Sequence, residues 1–142
     1  MREILKQIAN DNNWAFEYGR DDYNNLEGQA GKEFYLCVDV PEESVLFDEY
    51  AVPIARTYAG RFMLLKHSDF DRVYDSQMDG NADDGKYEMY IKPCKGEVMK
   101  IVEALCGDYN ITSWRVLEVI NQLSNNFDGV LVNYQITMNG YG

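Results

Sequence analysis

The most regular alternation of apolar and polar positions in the chain lies near its end. Between Asp128 and Met138, Val130, Val132, Tyr134, Ile136 and Met138 fall on one side, and Asn133, Gln135 and Thr137 on the other. This period of two predicts a strand with one face on a core and the other toward water or a neighbouring chain. Phe34, Leu36, Val38 and Val40 alternate with Tyr35, Cys37 and Asp39, so Glu33 to Val40 is predicted as a half-buried strand that Pro41 ends. A longer strand is predicted from Ile54 to His67, with Tyr58, Phe62 and Leu64 on one side and Arg56, Arg61, Met63 and Leu65 contributing to the other. Gly60 interrupts it, as glycine does at a bulge or a close backbone approach. Trp14 to Tyr18 reads as a brief strand, followed by an exposed polar loop from Arg20 to Gly31. Tyr87 to Pro93 alternates again and is expected to return antiparallel to Ile54–His67, forming a long hairpin that the proline closes.

Helical spacing is found in three places. Ile4, Leu5 and Ile8 mark one side of a short helix from Arg2 to Ala9, ended by Asn10-Asp11-Asn12-Asn13, whose side chains compete for backbone hydrogen bonds. Val98, Ile101, Val102 and Leu105 recur at i, i+3, i+4 and i+7, with Gly107 where a left-handed cap belongs. A further helix is expected after Thr112 or Ser113, turning Trp114, Leu117, Ile120 and Leu123 to the core, until Ser124-Asn125-Asn126 breaks it. The last two helices are separated by a short gap, so they are expected side by side or as a bent pair across the sheet. Glu42 to Tyr50 reads as an acidic connector with Val45, Leu46 and Phe47 as an apolar anchor. Ser68 to Lys86 is the most polar stretch and reads as a mobile acidic loop.

These elements predict an α+β fold: a mainly antiparallel sheet with a long hairpin, covered on one face by two or three helices. The 142 residues suffice for one domain, 1–142, able to bury a core without disulfides or metal. A hydrophobic fraction of 46%, with eleven tyrosines, separates the chain from disordered sequences and favours extensive sheet or interface surface.

Charge narrows the function classes. A formal net charge of -11 repels phosphate and disfavours tight nucleic-acid binding, while leaving open an acidic wall past which DNA slides without sticking. Cys37, Cys94 and Cys106 are an odd set without CxxC spacing, beside apolar segments, and read as reduced structural thiols. Charges within Met1-Arg2-Glu3-Ile4-Leu5-Lys6 argue against a secretion signal, and no apolar run has membrane-spanning length. The expectation is a protein made and kept in a reducing cytoplasm.

No catalytic, cofactor-binding or metal residues are assigned from the pattern. Asp79, Asn81 and Asp83 have the spacing of the first ligands of a calcium loop, but Asp84 replaces the required glycine and Tyr90 the bidentate glutamate, which favours a solvated acidic loop. His67 stands beside Ser68 and Asp69, and three consecutive side chains diverge too far for a nucleophilic triad. Carboxylate pairs such as Glu42 and Glu43 are undiagnostic in so acidic a chain, and neither GxxxxGK[ST] nor GxGxxG occurs. Tyr87, Tyr90, Tyr134 and Tyr141 lack the interleaved Arg and Lys of a base-stacking platform and read as sheet or interface residues.

The order of helix, short strand, strand, long hairpin with a polar tip, two helices and final strand resembles the tail terminator and head-tail connector (neck) proteins of tailed bacteriophages. The resemblance rests on Tyr58 to Leu65, Tyr87 to Pro93 and the ending Phe127-Asp128-Gly129-Val130-Leu131-Val132-Asn133-Tyr134-Gln135-Ile136-Thr137. It implies a non-enzymatic virion subunit, made in the host bacterial cytoplasm, that forms a homo-oligomeric ring and contacts other neck or tail proteins. DNA would be met only in passage, with no membrane and no cofactor. Two other readings stay open. One is an acidic intracellular binding module or inhibitor that mimics DNA toward a basic partner, and the other is a small enzyme whose site the sequence hides.

Overall fold

The fold is organised by a fifteen-residue strand that has neighbours on both sides, in a computed structural model that describes residues 1–19, 32–67, 85, 87–122 and 127–139. The elements are α1 (Arg2–Asp11), β1 (Ala15–Tyr18), β2 (Tyr35–Val38), β3 (Glu42–Phe47), β4 (Pro53–His67), a π-helical turn (Tyr87–Ile91), α2 (Lys92–Leu105), β5 (Asn110–Gln122) and β6 (Phe127–Asn139). This is an α+β fold with a six-stranded mixed sheet in the order β1-β2-β4-β6-β5, and β3 also paired to β4. Only β1 and β2 run parallel; every other pairing among the described strands is antiparallel. The segments read as loops, Arg20 to Gly31 and Ser68 to Lys86, lie outside the described residues except Gly85, and the Asp79, Asn81 and Asp83 spacing lies outside with them.

The final strand and the long central strand form as their alternation requires, and they pair from Ala55 opposite Asn139 to His67 opposite Phe127. β6 therefore occupies one side of β4 along nearly its whole length, which leaves β2 and β3 to share the other side. Val38 lies opposite Phe62 and Glu42 opposite Ala59, so residues 39–41 bulge against 60 and 61. Gly60 sits at this point, where a Cβ would come within 3.0 Å of the Tyr134 hydroxyl and 3.2 Å of Pro41 Cα. Both properties expected of that glycine are present.

Apolar side chains from both helices meet the sheet in one cluster. Leu5, Ile8 and Ala9 of α1 and Cys94, Val98, Ile101 and Leu105 of α2 join Leu36, Val38, Phe62, Leu64, Val130, Val132 and Ile136. Each fully buried side chain of this size contributes roughly 1.5–3 kcal/mol. A second, smaller cluster gathers Ala15, Tyr35, Cys37, Leu65 and Phe127, with Tyr35 meeting Phe127 edge-on at 5.0 Å. Tyr35 and Cys37 alternate with Leu36 and Val38, so β2 is buried throughout and not half-buried as its alternation predicts.

Local chemistry ends the helices as expected. The Asn12 side chain donates to the Ile8 carbonyl at 2.9 Å, Asn13 takes a left-handed φ of 59°, and Trp14 N–H returns to Ala9 at 2.8 Å. Gly107 follows α2 with φ 100°.

Three segments differ from their predicted form. Tyr87–Ile91 is a π-helical turn that runs into α2, so the expected hairpin between Ile54–His67 and Tyr87–Pro93 does not form. Pro93 lies in the first turn of α2, where its missing N–H costs nothing, and it starts a helix where it was read as ending a strand. The helix expected after Thr112 is β5: Trp114 and Val116 lie opposite Tyr134 and Val132, and Leu117 lies opposite Leu131 on the other face. Glu42–Phe47 is a strand and not a connector, and Leu46 and Phe47 are exposed instead of anchored.

Candidate functional site

Among the described residues, the isolated candidates from the sequence do not converge. His67 is exposed at the end of β4, edge-on to Phe127 at 5.3 Å, and its neighbours Ser68 and Asp69 lie outside the described residues. All three cysteines are free thiols. Cys37 and Cys94 are buried, and burial pushes both thiols up, Cys94 to about 12, which keeps them protonated and inert at neutral pH. Cys106 is exposed and departs from the buried structural role expected of it. Among the described residues no helix is long and apolar enough to cross a membrane.

A shallow depression of about 480 Å³ lies at the bulge, lined by Asp39, Glu42, Gly60, Arg61, Asn133 and Tyr134. Arg61 pairs with Asp39 through Nε. The Tyr134 hydroxyl is buried without a hydrogen-bond partner among the described residues, and burial, followed by the nearby Tyr18 and Asp39 charges, pushes it up to about 12. A phenol held neutral beside a paired guanidinium is suited to closing a core and not to attacking a substrate.

The surface with more physical content is the pair of borders of the sheet. On one border β3 pairs only with β4 among the described strands, and Glu42, Glu43, Ser44, Leu46 and Phe47 are exposed. The turn that follows is held tightly. The Asp48 carboxylate accepts from Tyr50 N–H at 2.8 Å and Val52 N–H at 2.9 Å, Asp48 N–H donates to the Val52 carbonyl, and Ala51 takes φ 62°. This rigid turn presents Leu46, Phe47, Tyr50, Val52 and Ile54 to solvent, with Tyr50 80% exposed and none below 43%. Ordering large apolar side chains in water gains nothing for a chain on its own, and exposed groups of this kind are more common at interaction surfaces than elsewhere.

The opposite border is β5, thirteen residues long and paired only with β6 among the described strands. Val116 and Leu117 are exposed, as are Arg115 beside them and Met99 on α2. Lys95 of α2 reaches the strand at Glu118, 2.9 Å away, and that hydrogen bond raises its pKa. Trp114 is half-buried against Phe62, 5.7 Å between ring centres, with its indole N–H unpartnered among the described residues.

Sequence reasoning missed both borders for one reason: exposed apolar residues leave no burial periodicity to read. The available signals were chemical. Asp48 is a turn-forming residue placed between an apolar run and Val52-Pro53, and β5 is rich in β-branched and aromatic residues, Ile111, Thr112, Trp114, Val116, Val119 and Ile120. No protein-family model, curated protein or solved structure matches the chain.

Proposed function

We propose that this chain is a non-enzymatic assembly subunit that works at the head-tail junction or in the tail of a phage virion, as a tail terminator-like ring component. The observation that carries the reading is the exposure of large apolar side chains on two borders of one sheet, at the Asp48 turn and along β5. A subunit that joins to two neighbours needs two such surfaces. The viral part of the proposal draws on the resemblance through Tyr58 to Leu65 and Phe127 to Thr137 alone, since Tyr87–Pro93 is helical and the second helix that the resemblance implies is the strand β5. In this reading α1 and α2 cover one face of the sheet and leave its borders open to neighbours, other neck or tail proteins stack on the ring, and an average surface with net charge -11 lets DNA pass without retaining it. The subunit is made in the host bacterial cytoplasm.

Native mass spectrometry with negative-stain imaging tests this. Concentration-dependent oligomers and ring-shaped particles are expected; a strict monomer at high concentration, without affinity for other virion proteins, would remove the proposal. A second reading, an acidic module that occupies a basic partner as a DNA mimic, is favoured by the exposed Glu42, Glu43 and Glu49 around the apolar turn. Its signature is capture of a basic protein that is lost when those three carboxylates become amides.

A further inference from the structure

We infer that the groove between α1 and the outer edge of β1 binds an acidic peptide of another protein in extended form, as an added strand. The inference is independent of the assembly reading.

A depression of about 330 Å³ is lined by all four residues of β1, Ala15, Phe16, Glu17 and Tyr18. Successive strand side chains point to opposite faces, so a hollow that meets all four lies along the edge of the strand and not on a face of the sheet. β1 pairs only with β2 among the described strands. Ala15 N–H donates to Phe34 and Gly19 N–H to Val38, so residues 15, 17 and 19 turn their backbone groups to β2, and residues 16 and 18 turn theirs outward. Phe16 and Tyr18 thus offer donors and acceptors in alternation, which an extended chain satisfies and a simple anion does not.

The rest of the lining is cationic. Arg2 and Lys6 of α1 and Lys32 border the same depression, an exception in a chain with net charge -11. The carboxylate in the lining, Glu17, alternates with Phe16 and Tyr18 and projects to the face away from α1. None of the three cations is neutralised in place. Lys6 has no ion-pair partner among the described residues. Lys32 donates to the uncharged Asn13 side chain, and Arg2 stands 3.8 Å from Glu3, whose side chain is 82% exposed, so water screens that pair. Arg2 and Lys6 are like charges four residues apart, an arrangement that opposes α1 unless an anion lies beside it.

Spacing selects the partner. α1 reverses into β1 through Asn12 and Asn13, which sets the Arg2 guanidinium 5.3 Å from the Tyr18 ring centre at one end of the edge and Lys32, bonded to Asn13, at the other. Four helical residues rise about 6 Å, and alternate residues of a strand repeat about every 6.6–6.8 Å. Carboxylates at every second position of an added strand therefore meet Arg2 and Lys6 in step.

The full chain, labelled with nitrogen-15, is titrated at low salt with a blocked hexapeptide of alternating glutamate and valine, followed by the amide signals. Saturable shifts are expected at Phe16 and Tyr18. Lys6→Glu, at an exposed helix position, should weaken binding about fivefold or more, with Lys6→Gln losing less in the same direction, while Lys92→Glu on α2, the same change in net charge, stays within about twofold. The variant spectra should otherwise overlay on the parent's. No saturable shift at millimolar peptide, shifts that bypass residues 15–18, equal binding of a lysine-valine peptide, or equal losses in the Lys6→Glu and Lys92→Glu variants would each overturn the inference. So would inorganic phosphate that reproduces the same shifts, since the groove would then hold an anion and not a strand.

Discussion

β5 and β6 are each thirteen residues long and lie edge to edge, with Trp114 opposite Tyr134 and Val116 opposite Val132. Their environments differ sharply. β6 has β4 on one side and β5 on the other, and Val130, Val132, Tyr134 and Ile136 are almost wholly buried in the main apolar cluster. β5 has one neighbour among the described strands, and Val116 and Leu117, on opposite faces, are 39% and 47% exposed. Two strands of equal length thus differ in environment: one is paired on both sides and buried, and the other is paired on one side among the described strands and exposes apolar side chains.

The largest expected effect breaks β6 alone. A Cβ on Gly129 would fall on the Leu64 carbonyl oxygen and within 2.9 Å of Leu65 Cα, both backbone atoms of β4 that cannot move aside. Gly129→Ala is expected to cost more than about 3 kcal/mol, measured by urea denaturation, whereas Ser113→Ala in exposed β5 stays within about 0.5 kcal/mol. Comparable costs would erase the distinction between the strands.

Titration gives the next effect. Tyr134 is raised to about 12, above the usual 10 of an unfolded tyrosine, so the folded state binds the extra proton between those values. Its contribution is complete below pH 10 and is lost as pH rises toward 12, by roughly 2–3 kcal/mol. Cys94, raised from 9.0 to about 12, adds loss in the same direction from pH 9 upward. Tyr134→Phe should flatten the alkaline limb of a stability-pH curve and leave neutral stability equal or slightly higher, since the buried hydroxyl has no partner among the described residues. A steeper limb in the variant would contradict the assignment.

The directly opposed valines sharpen the comparison. Val132→Ala opens a cavity in the core and should cost about 2 kcal/mol, while Val116→Ala should cost about 0.5 kcal/mol or less. The smallest effect belongs to Glu118→Gln, which removes the Lys95 pair at the β5 border. Both side chains are about one-third exposed, so a change below about 0.5 kcal/mol is expected, smaller still in high salt.

The same contrast explains what could be read from the amino-acid order. β6 and β4 were legible because burial on one face forces apolar residues to every second position. α1 and the body of α2 were legible because Ile4, Leu5 and Ile8, and Val98, Ile101 and Leu105, meet the core at helical spacing. β5 was not, because Trp114, Leu117 and Ile120 also fit a helical stripe when no buried face constrains the alternating set. Pro93 and the tyrosines before it were ambiguous for a different reason: proline ends a strand and begins a helix equally well, and only the burial of Ile91 in the main apolar cluster beside Cys94 and Val98 of α2 decides between them. The Asp48 turn was hidden by the assumption that three consecutive apolar residues, Val45-Leu46-Phe47, face inward.

Hydrogen exchange of the full chain, compared between dilute and concentrated solutions, tests most directly that the borders are the working surface. Concentration-dependent protection should arise at 46–54 and 114–119 and leave the β4–β6 core unchanged. Protection that ignores both segments, or no response to concentration at all, would contradict it.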